Sequence, residues 1–149
     1  MKLAEYLDKD LILPNLSART KSGVLAELVS PLPQINPALD PERVVQVLMD
    51  RESLGTTGIG DGVAIPHGKM DNIDKILIIV GRSQDGVEFA SLDHKPATIF
   101  FTVLAPSAVA GLHLKLLAMV SRLLRDDAFR RAFVAAEDRD ALWELLQSV

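Results

Sequence analysis

The chain has 149 residues, 48% of them hydrophobic, and a formal charge of -4 at pH 7. This length suits one core, so we expect a single domain over residues 1–149, and the acidic balance argues against nucleic acid or anionic membranes as partners. The absence of cysteine excludes disulfides, thiolate metal sites and cysteine nucleophiles. No signal peptide and no apolar run of about 20 residues is present, so we expect a cytoplasmic chain without direct membrane insertion.

Two helices are predicted in the first third of the chain. Thr20 is the expected N-cap of the first, whose apolar positions run at helical spacing from residue 24 to Leu32, where prolines end it. Asp40 is the expected N-cap of the second helix, which Gly55 ends.

The middle of the chain reads as a glycine-rich loop followed by strands. Residues 55–62 contain four glycines, which suits tight turns and an exposed backbone close to a ligand. Residues 76–80 and 98–104 are continuous apolar runs typical of strands covered on both faces. Residues 87–89 between them are predicted to form an edge strand.

Three helices close the chain. The first has an apolar side between residues 112 and 124 and begins at Ser107 or Gly111, the second spans about 129–135, and the third starts near Asp138. Helices before, between and after apolar strands predict an α/β fold: a three-layer sandwich with a mixed β-sheet flanked by helices on both faces.

His67 is the first candidate for chemistry, because imidazole is the side chain whose ordinary pKa lies near neutrality. It follows Pro66, which stiffens the backbone, and lies between Gly62 and Gly68. A neutral imidazole displayed in this way is a nucleophile towards phosphorus, and the flanking glycine amides would receive phosphate oxygens. A purely structural turn is the competing interpretation.

Three further residues have a functional and a structural interpretation each. His113 lies in the first turns of its helix, on the side facing the interior or a cleft, so it is either a core histidine or a neutral donor beside an anion. Arg51, at the end of the second helix, is either a solvated charge or a forked phosphate ligand. His94 lies in a turn signature and is interpreted as a surface residue.

The patterns of several other chemistries are missing. The glycine-rich segment lacks the Lys-Ser/Thr of a nucleotide-binding P-loop, and no His-Glu-x-x-His spacing suggests zinc. We therefore expect no cofactor and no metal. A histidine-dependent hydrolase is the alternative from another class, but the chain shows no serine elbow and no paired carboxylates.

Two segments resemble the type 2 enzyme IIA domains of the bacterial phosphotransferase system, a family with fructose, mannitol and nitrogen-related members. Residues 51–69, RESLGTTGIGDGVAIPHGK, are similar to the family's signature almost residue for residue, and residues 113–118, HLKLLA, resemble its second one. The order and spacing fit along essentially the whole chain. His94 departs from the family, which commonly has a small turn residue there.

The resemblance implies a phosphoryl carrier. His67 would accept a phosphoryl group at Nε2 from a histidine phosphocarrier protein and pass it on, with Arg51 and His113 as phosphate-stabilising neighbours. Asp61 would either orient the imidazole ring or be solvated. The family's fold, a mixed sheet flanked by helices, agrees with the architecture expected above.

Two biological roles remain open under this resemblance. Residues 11–18 and 121–126 are most similar to the nitrogen-related members, which favours a nitrogen or metabolic regulator that binds regulatory target proteins. The alternative is a sugar-transport enzyme IIA that passes phosphate to a fructose- or mannitol-type membrane component. In either case we expect partner proteins to dock on an apolar ring around Ile59, Met70 and Ile73.

Overall fold

The computed structural model describes residues 2–149, in which one six-stranded sheet separates two layers of helices. The strands of this sheet are β1 Leu7–Leu13, β2 Gly58–Gly60, β3 Val63–Ala64, β4 His67–Met70, β5 Leu77–Val87 and β6 Ala97–Pro106. The α-helices of the same residues are α1 Lys21–Val29, α2 Leu32–Ile35, α3 Pro41–Glu52, α4 Ala110–Leu123, α5 Asp127–Ala135 and α6 Arg139–Gln147. Short 3₁₀ turns at Leu3–Tyr6 and Ser107–Val109 precede β1 and α4.

The sheet is mixed, with the strand order β1-β5-β6-β3-β2. β5 and β6 form its antiparallel centre, and β1 runs parallel to β5. On the edge of β6 that faces away from β5, β3 and β4 both pair in parallel, at successive positions along β6. Val63 of β3 lies opposite Ile99, and His67 of β4 lies opposite Val103. Within residues 2–149, no strand pairs with the outer side of β4, so His67 lies on an open sheet edge.

The two faces of the sheet carry separate apolar cores. Alternating side chains of β6 face opposite ways: Phe100 packs with α1, α2 and α3, whereas Phe101 packs with α4, α5 and α6. This arrangement confirms the predicted three-layer α/β sandwich with a mixed sheet.

No single helix of the described residues is long and apolar enough to cross a bilayer. Ser107–Leu123 and Asp127–Ala135 satisfy the length and composition criteria only as a pair, with an 84° bend between them.

Most predicted helix boundaries are confirmed by their caps. The Thr20 side chain accepts a hydrogen bond from the Gly23 amide, and Asp40 accepts one from the Glu42 amide. The first helix, however, ends at Val29, and Leu32 begins the separate helix α2. Pro33 is tolerated in the first turn of α2, because the N–H that proline lacks would have no hydrogen-bond partner there. α4 begins at Ala110, between the two predicted starts.

The predicted edge strand at residues 87–89 is wrong. Val87 is the last residue of β5 and pairs with Ala97, and the Phe89 side chain is fully buried against α1 and α3. The glycine-rich loop is also more ordered than expected, since residues 58–60 form β2 with Gly58 buried. A Cβ at Gly58 would lie 2.4 Å from the Ser91 hydroxyl, so this glycine is required by close packing and not by exposure to a ligand.

A buried arginine in the middle of β5 ties this strand to the segments around it. Arg82 is fully buried, and its guanidinium donates hydrogen bonds only to backbone carbonyls: those of Pro14, Phe133, Val134 and Ala136. These carbonyls belong to the β1–α1 connection and to the end of α5. These carbonyls stabilise the guanidinium charge through hydrogen bonds, and Arg82 thereby joins the β1–α1 connection to the end of α5.

Candidate functional site

Backbone hydrogen bonds fix both the chain just before His67 and the ring of His67 itself. Pro66 contributes its carbonyl to the sheet by accepting a hydrogen bond from the Val103 amide at 2.9 Å. The Nδ1 atom of His67 lies 2.8 Å from the carbonyl oxygen of Ile65. A carbonyl only accepts, so Nδ1 carries the proton and Nε2 keeps its lone pair. The local fold therefore leaves Nε2 as the unprotonated nitrogen of the His67 ring.

The surroundings of His67 favour its neutral form. The imidazole is half-buried, and burial lowers its pKa below the usual 6.5. The hydrogen bond to the Ile65 carbonyl raises the pKa, the Arg51 charge lowers it, and the Glu52 carboxylate raises it, but these effects do not reverse the lowering. At neutral pH the ring is thus uncharged.

His113 reaches the same place from α4. It is buried, with 4% of its surface exposed, and its ring lies edge-on to that of His67, with the two centroids 5.9 Å apart and the planes at 77°. Its Nε2 atom is buried without a hydrogen-bond partner among the described residues. Burial, followed by the charges of His67 and Lys69, lowers the pKa of His113. The predicted position facing a cleft is therefore the one observed.

Arg51 approaches from α3, on the opposite face of the sheet. Its Nη1 atom donates to the Gly55 carbonyl at 2.9 Å, which directs the guanidinium over the turn that follows α3. Arg51, His67 and His113 line one groove with a cavity volume of about 460 Å³. The remaining lining residues are Val47, Asp50, Leu54, Gly68, Lys69, Ala110, Leu114 and Leu117.

Asp61 lies apart from this groove. It is an exposed turn residue with a φ of 56°, and its amide donates to Asp93 at 3.2 Å. It borders a different depression, next to residues of α5. The Ile65 carbonyl, and not Asp61, contacts the His67 ring. Of the two interpretations of Asp61, the solvated residue therefore fits this structure, and the ring-orienting residue does not. His94 is likewise exposed in a turn with a positive φ, as predicted.

The glycines that flank His67 in sequence do not enclose a common space. Gly68 lines the groove, and Gly62 lies beyond β3, outside it. The predicted pair of glycine amides around a phosphate is therefore not present in this arrangement.

The predicted apolar docking ring is wrong for two of its three members. Met70 and Ile73 are 5% and 7% exposed, because they pack into the core beneath α1 and α3. Ile59 is 45% exposed but lies on β2, outside the groove. The exposed apolar side chains at the groove are instead Leu54 and Leu114, which are 84% and 68% exposed.

The sequence did not predict two residues that lie close to the His67 ring, Lys69 and Ile65. Lys69 lies two residues after His67 in β4, so both side chains point to the same face, and it adds a positive charge beside the imidazoles. If β4 had been recognised as a strand, the alternation of side chains along it would have identified Lys69. The Ile65 carbonyl carries no sequence signal, because any residue provides one.

The fold and the groove together define a class of protein: an α/β sandwich that presents a neutral histidine at an open sheet edge, beside a guanidinium and a second imidazole. Among residues 2–149, no group of three or more histidine, aspartate or glutamate side chains is arranged to hold a metal ion. Comparison with known proteins identifies the class. The chain belongs to the family described as phosphoenolpyruvate-dependent sugar phosphotransferase system, EIIA 2, which matches residues 5–149.

Similar proteins carry both regulatory and transport names. A nitrogen regulatory protein of Bradyrhizobium diazoefficiens is 36% identical over 146 residues, covering 98% of this chain and 95% of that protein. The fructose-specific EIIABC component of Bacillus subtilis is 35% identical over 98% of this chain, which spans only 23% of that relative's length. The crystal structure of nitrogen regulatory protein IIA-Ntr from Neisseria meningitidis superposes with a TM-score of 0.89, at 26% identity, over 97% of this chain and 98% of that one.

Proposed function

We propose that this chain is a phosphoryl carrier in which Nε2 of His67 accepts the phosphoryl group. The observation that carries the proposal is the hydrogen bond from Nδ1 of His67 to the Ile65 carbonyl. It leaves Nε2 with a free lone pair in a groove that also holds Arg51 and His113. Residues 1–149 form the functional unit in this proposal.

The transfer needs no proton movement at His67. The lone pair of Nε2 forms the new N–P bond while the N–P bond of the donor's phosphohistidine breaks and its electron pair returns to the donor ring. The proton on Nδ1 of His67 stays in place. The phosphorylated ring gains positive charge, so the hydrogen bond to the Ile65 carbonyl becomes charge-assisted and stronger. The donor class is a histidine phosphocarrier protein.

Arg51 and His113 stabilise the moving phosphoryl group. Its charge is spread over three oxygens during in-line transfer, and a guanidinium matches two of them in a forked geometry. The neutral His113 ring, with Nε2 buried and unpaired among the described residues, donates to another oxygen. Replacing either residue with Ala is expected to slow transfer about 10- to 1,000-fold.

Phosphorylation tests this proposal directly. Incubated with phosphoenolpyruvate and the general phosphotransferase enzymes, the protein is expected to gain one acid-labile phosphate. The His67→Ala variant is expected to gain none, whereas His94→Ala, a matched change of an exposed histidine, is expected to behave as wild type. Label retained in His67→Ala would exclude His67 as the acceptor.

We favour a regulatory role, because the relative named a nitrogen regulatory protein matches over nearly its whole length. A regulator binds its targets according to the phosphorylation state of His67. A pull-down that compares His67→Asp, which mimics part of the phosphoryl charge, with His67→Ala tests this role. Targets that distinguish the two variants support regulation, and identical partners contradict it.

Transport is the alternative function, and the observation on its side is the match to a fructose-specific component, of which this chain spans 23%. The phosphorylated chain would then pass its phosphoryl group to a membrane sugar-transport component. Formation of fructose or mannitol phosphate when the phosphorylated chain is added to membranes with such a component is the expected result. No sugar phosphate above the level seen with His67→Ala would contradict transport.

A further inference from the structure

A buried carboxylate lies next to Arg51 and takes no part in the transfer described above. Glu52, the last residue of α3, is 7% exposed. Its Oε1 accepts hydrogen bonds from the Lys21 ammonium at 2.8 Å and from the Thr57 amide at 3.1 Å, and its Oε2 accepts one from the Thr57 hydroxyl. Charged carboxylates are seldom buried unless they are fully paired. Glu52 therefore holds Thr57 by both its backbone and its side chain.

Thr57 connects this carboxylate to the nucleophile through the backbone. The Thr57 carbonyl accepts a hydrogen bond from the Ile65 amide at 3.0 Å, and the Ile65 carbonyl lies 2.8 Å from Nδ1 of His67. Hydrogen bonds thus join Glu52 to the imidazole ring through two residues. The Ile65 amide is held by Thr57, and the backbone of Ile65 in turn decides where its carbonyl meets His67.

The same carboxylate also supports Arg51. The turn between Glu52 and Thr57 contains Gly55, whose carbonyl accepts the hydrogen bond from the Arg51 guanidinium. The Gly55 amide donates to the backbone carbonyl of Glu52 at 3.0 Å. Because Thr57 is hydrogen-bonded to Glu52, this six-residue turn, residues 52–57, is closed at both ends, and Arg51 has a fixed anchor.

We propose that Glu52 is a positioning residue for phosphoryl transfer: through Thr57 and Ile65 it fixes the ring orientation and tautomer of His67. Lys21 balances its charge and is itself held over the Phe89 ring, with Nζ 4.6 Å from the ring centroid. The proposal rests on the proposed function only for its effect on transfer rates. The effect on the His67 ring is measurable in the unphosphorylated protein.

A change at the Thr57 hydroxyl is the sharpest test, since it removes one hydrogen bond and no charge. In Thr57→Val, Oε2 of Glu52 loses its partner, and the Thr57–Ile65 connection loosens. We expect nitrogen NMR to show a smaller fraction of His67 with the proton on Nδ1, and phosphoryl transfer to slow about 10- to 100-fold in kcat with little change in KM for the donor. Thr57→Ser keeps the hydroxyl and is expected to restore both values.

Removing the charge of Glu52 gives an independent readout. The charged and titratable groups around His67 are Asp50, Arg51 and Glu52 from α3, Lys69 from β4 and His113 from α4. Glu52→Gln keeps the size of the side chain and one acceptor oxygen but removes the carboxylate charge that raises the pKa of His67. The pKa of His67, followed by NMR titration, is expected to fall further below its wild-type value.

The matched control is Glu27→Gln. Glu27 is also a helix carboxylate that accepts hydrogen bonds from two backbone amides, those of Ser17 and Ala18. Among the hydrogen bonds of residues 2–149, no chain comparable to that of Glu52 links it to His67. This variant is expected to keep the wild-type tautomer, pKa and transfer rate. Its stability loss shows how much of any effect comes from loosening the fold.

Three results would overturn the proposal. The first is a His67 tautomer and transfer rate in Thr57→Val equal to those of Glu27→Gln. The second is an equal loss in Thr57→Ser and Thr57→Val, because the hydroxyl contact would then be irrelevant. The third is an unchanged His67 pKa in folded Glu52→Gln. If wild type takes up no phosphate, the phosphoryl-carrier function fails, but the NMR results still decide the role of Glu52.

Discussion

The close contact between α3 and β4 at Gly68 gives a quantitative test of how the site is held. A Cβ at Gly68 would lie 2.6 Å from Cγ1 of Val47, whereas carbon atoms pack best at about 3.5–4.0 Å, so Gly68→Ala must move strand and helix apart by about 1 Å. Val47 is β-branched, and its side chain is too stiff to turn away at no cost. Overpacking of this kind costs about 1–3 kcal/mol.

A smaller gain offsets part of that cost. The φ of Gly68 is not in the left-handed region, so alanine fits the backbone and restricts the unfolded chain, which stabilises by about 0.4–1 kcal/mol. The expected net loss for Gly68→Ala is therefore about 1–2 kcal/mol, or roughly 3–7 °C in Tm for a chain of this length.

Urea denaturation of a double-mutant cycle with Val47→Ala measures this contact. The Val47 Cβ lies 3.9 Å from the added methyl position, an ordinary contact, so truncation at residue 47 removes the clash. In the Val47→Ala background, Gly68→Ala is expected to be neutral or slightly stabilising, and to restore any loss in phosphoryl transfer. An equal penalty in both backgrounds would refute the packing of α3 on β4 argued here.

Three other predictions concern charge. Burial holds the pKa of His67 and His113 below 6.5, so the unfolded chain binds more protons than the folded chain at acid pH. The free energy of unfolding therefore falls as the pH drops through 6.5, and a double Gln variant should flatten the decline in urea midpoint between about pH 7 and 5. Arg82→Met leaves four carbonyls without their donor and is expected to cost about 3 kcal/mol in urea unfolding, and a loss under 1 kcal/mol would contradict the clamp. Lys69→Gln is expected to slow phosphoryl transfer about tenfold, with the exposed Lys95→Gln unchanged; equal rates would place Lys69 outside the site.

The three central residues of the site were predictable because each has a local signal. Arg51 lies at the end of a helix with a clear cap at Asp40, His67 follows a proline that stiffens the chain, and His113 lies on the apolar side of its helix. Their meeting in one groove was not a consequence of local pattern. It depends on β4 lying between α3 and α4, and only the family resemblance indicated that juxtaposition.

Short strands escaped prediction for a physical reason. β3 has two residues and β4 has four, which is too few for periodicity to be informative, and both are defined by their partner β6, more than 30 residues away in the chain. Without β4, the alternation that buries Met70 and directs Lys69 to the face of His67 is invisible. The wrong docking ring and the missed lysine therefore have one cause.

The position of His67 at a sheet edge explains how side chains from two helical layers, Arg51 and His113, line the same groove as its imidazole. Layers packed on opposite faces of a sheet are about 20 Å apart, since each packs about 10 Å from it, so an interior strand would separate Arg51 from His113. β4 has no strand on its outer side within the described residues, and side chains from α3 and α4 converge around its edge. The same opening exposes Leu54 and Leu114 at the groove that contains His67. An edge strand is therefore a condition of this site, because it lets the two flanking layers and an incoming protein reach the same nitrogen.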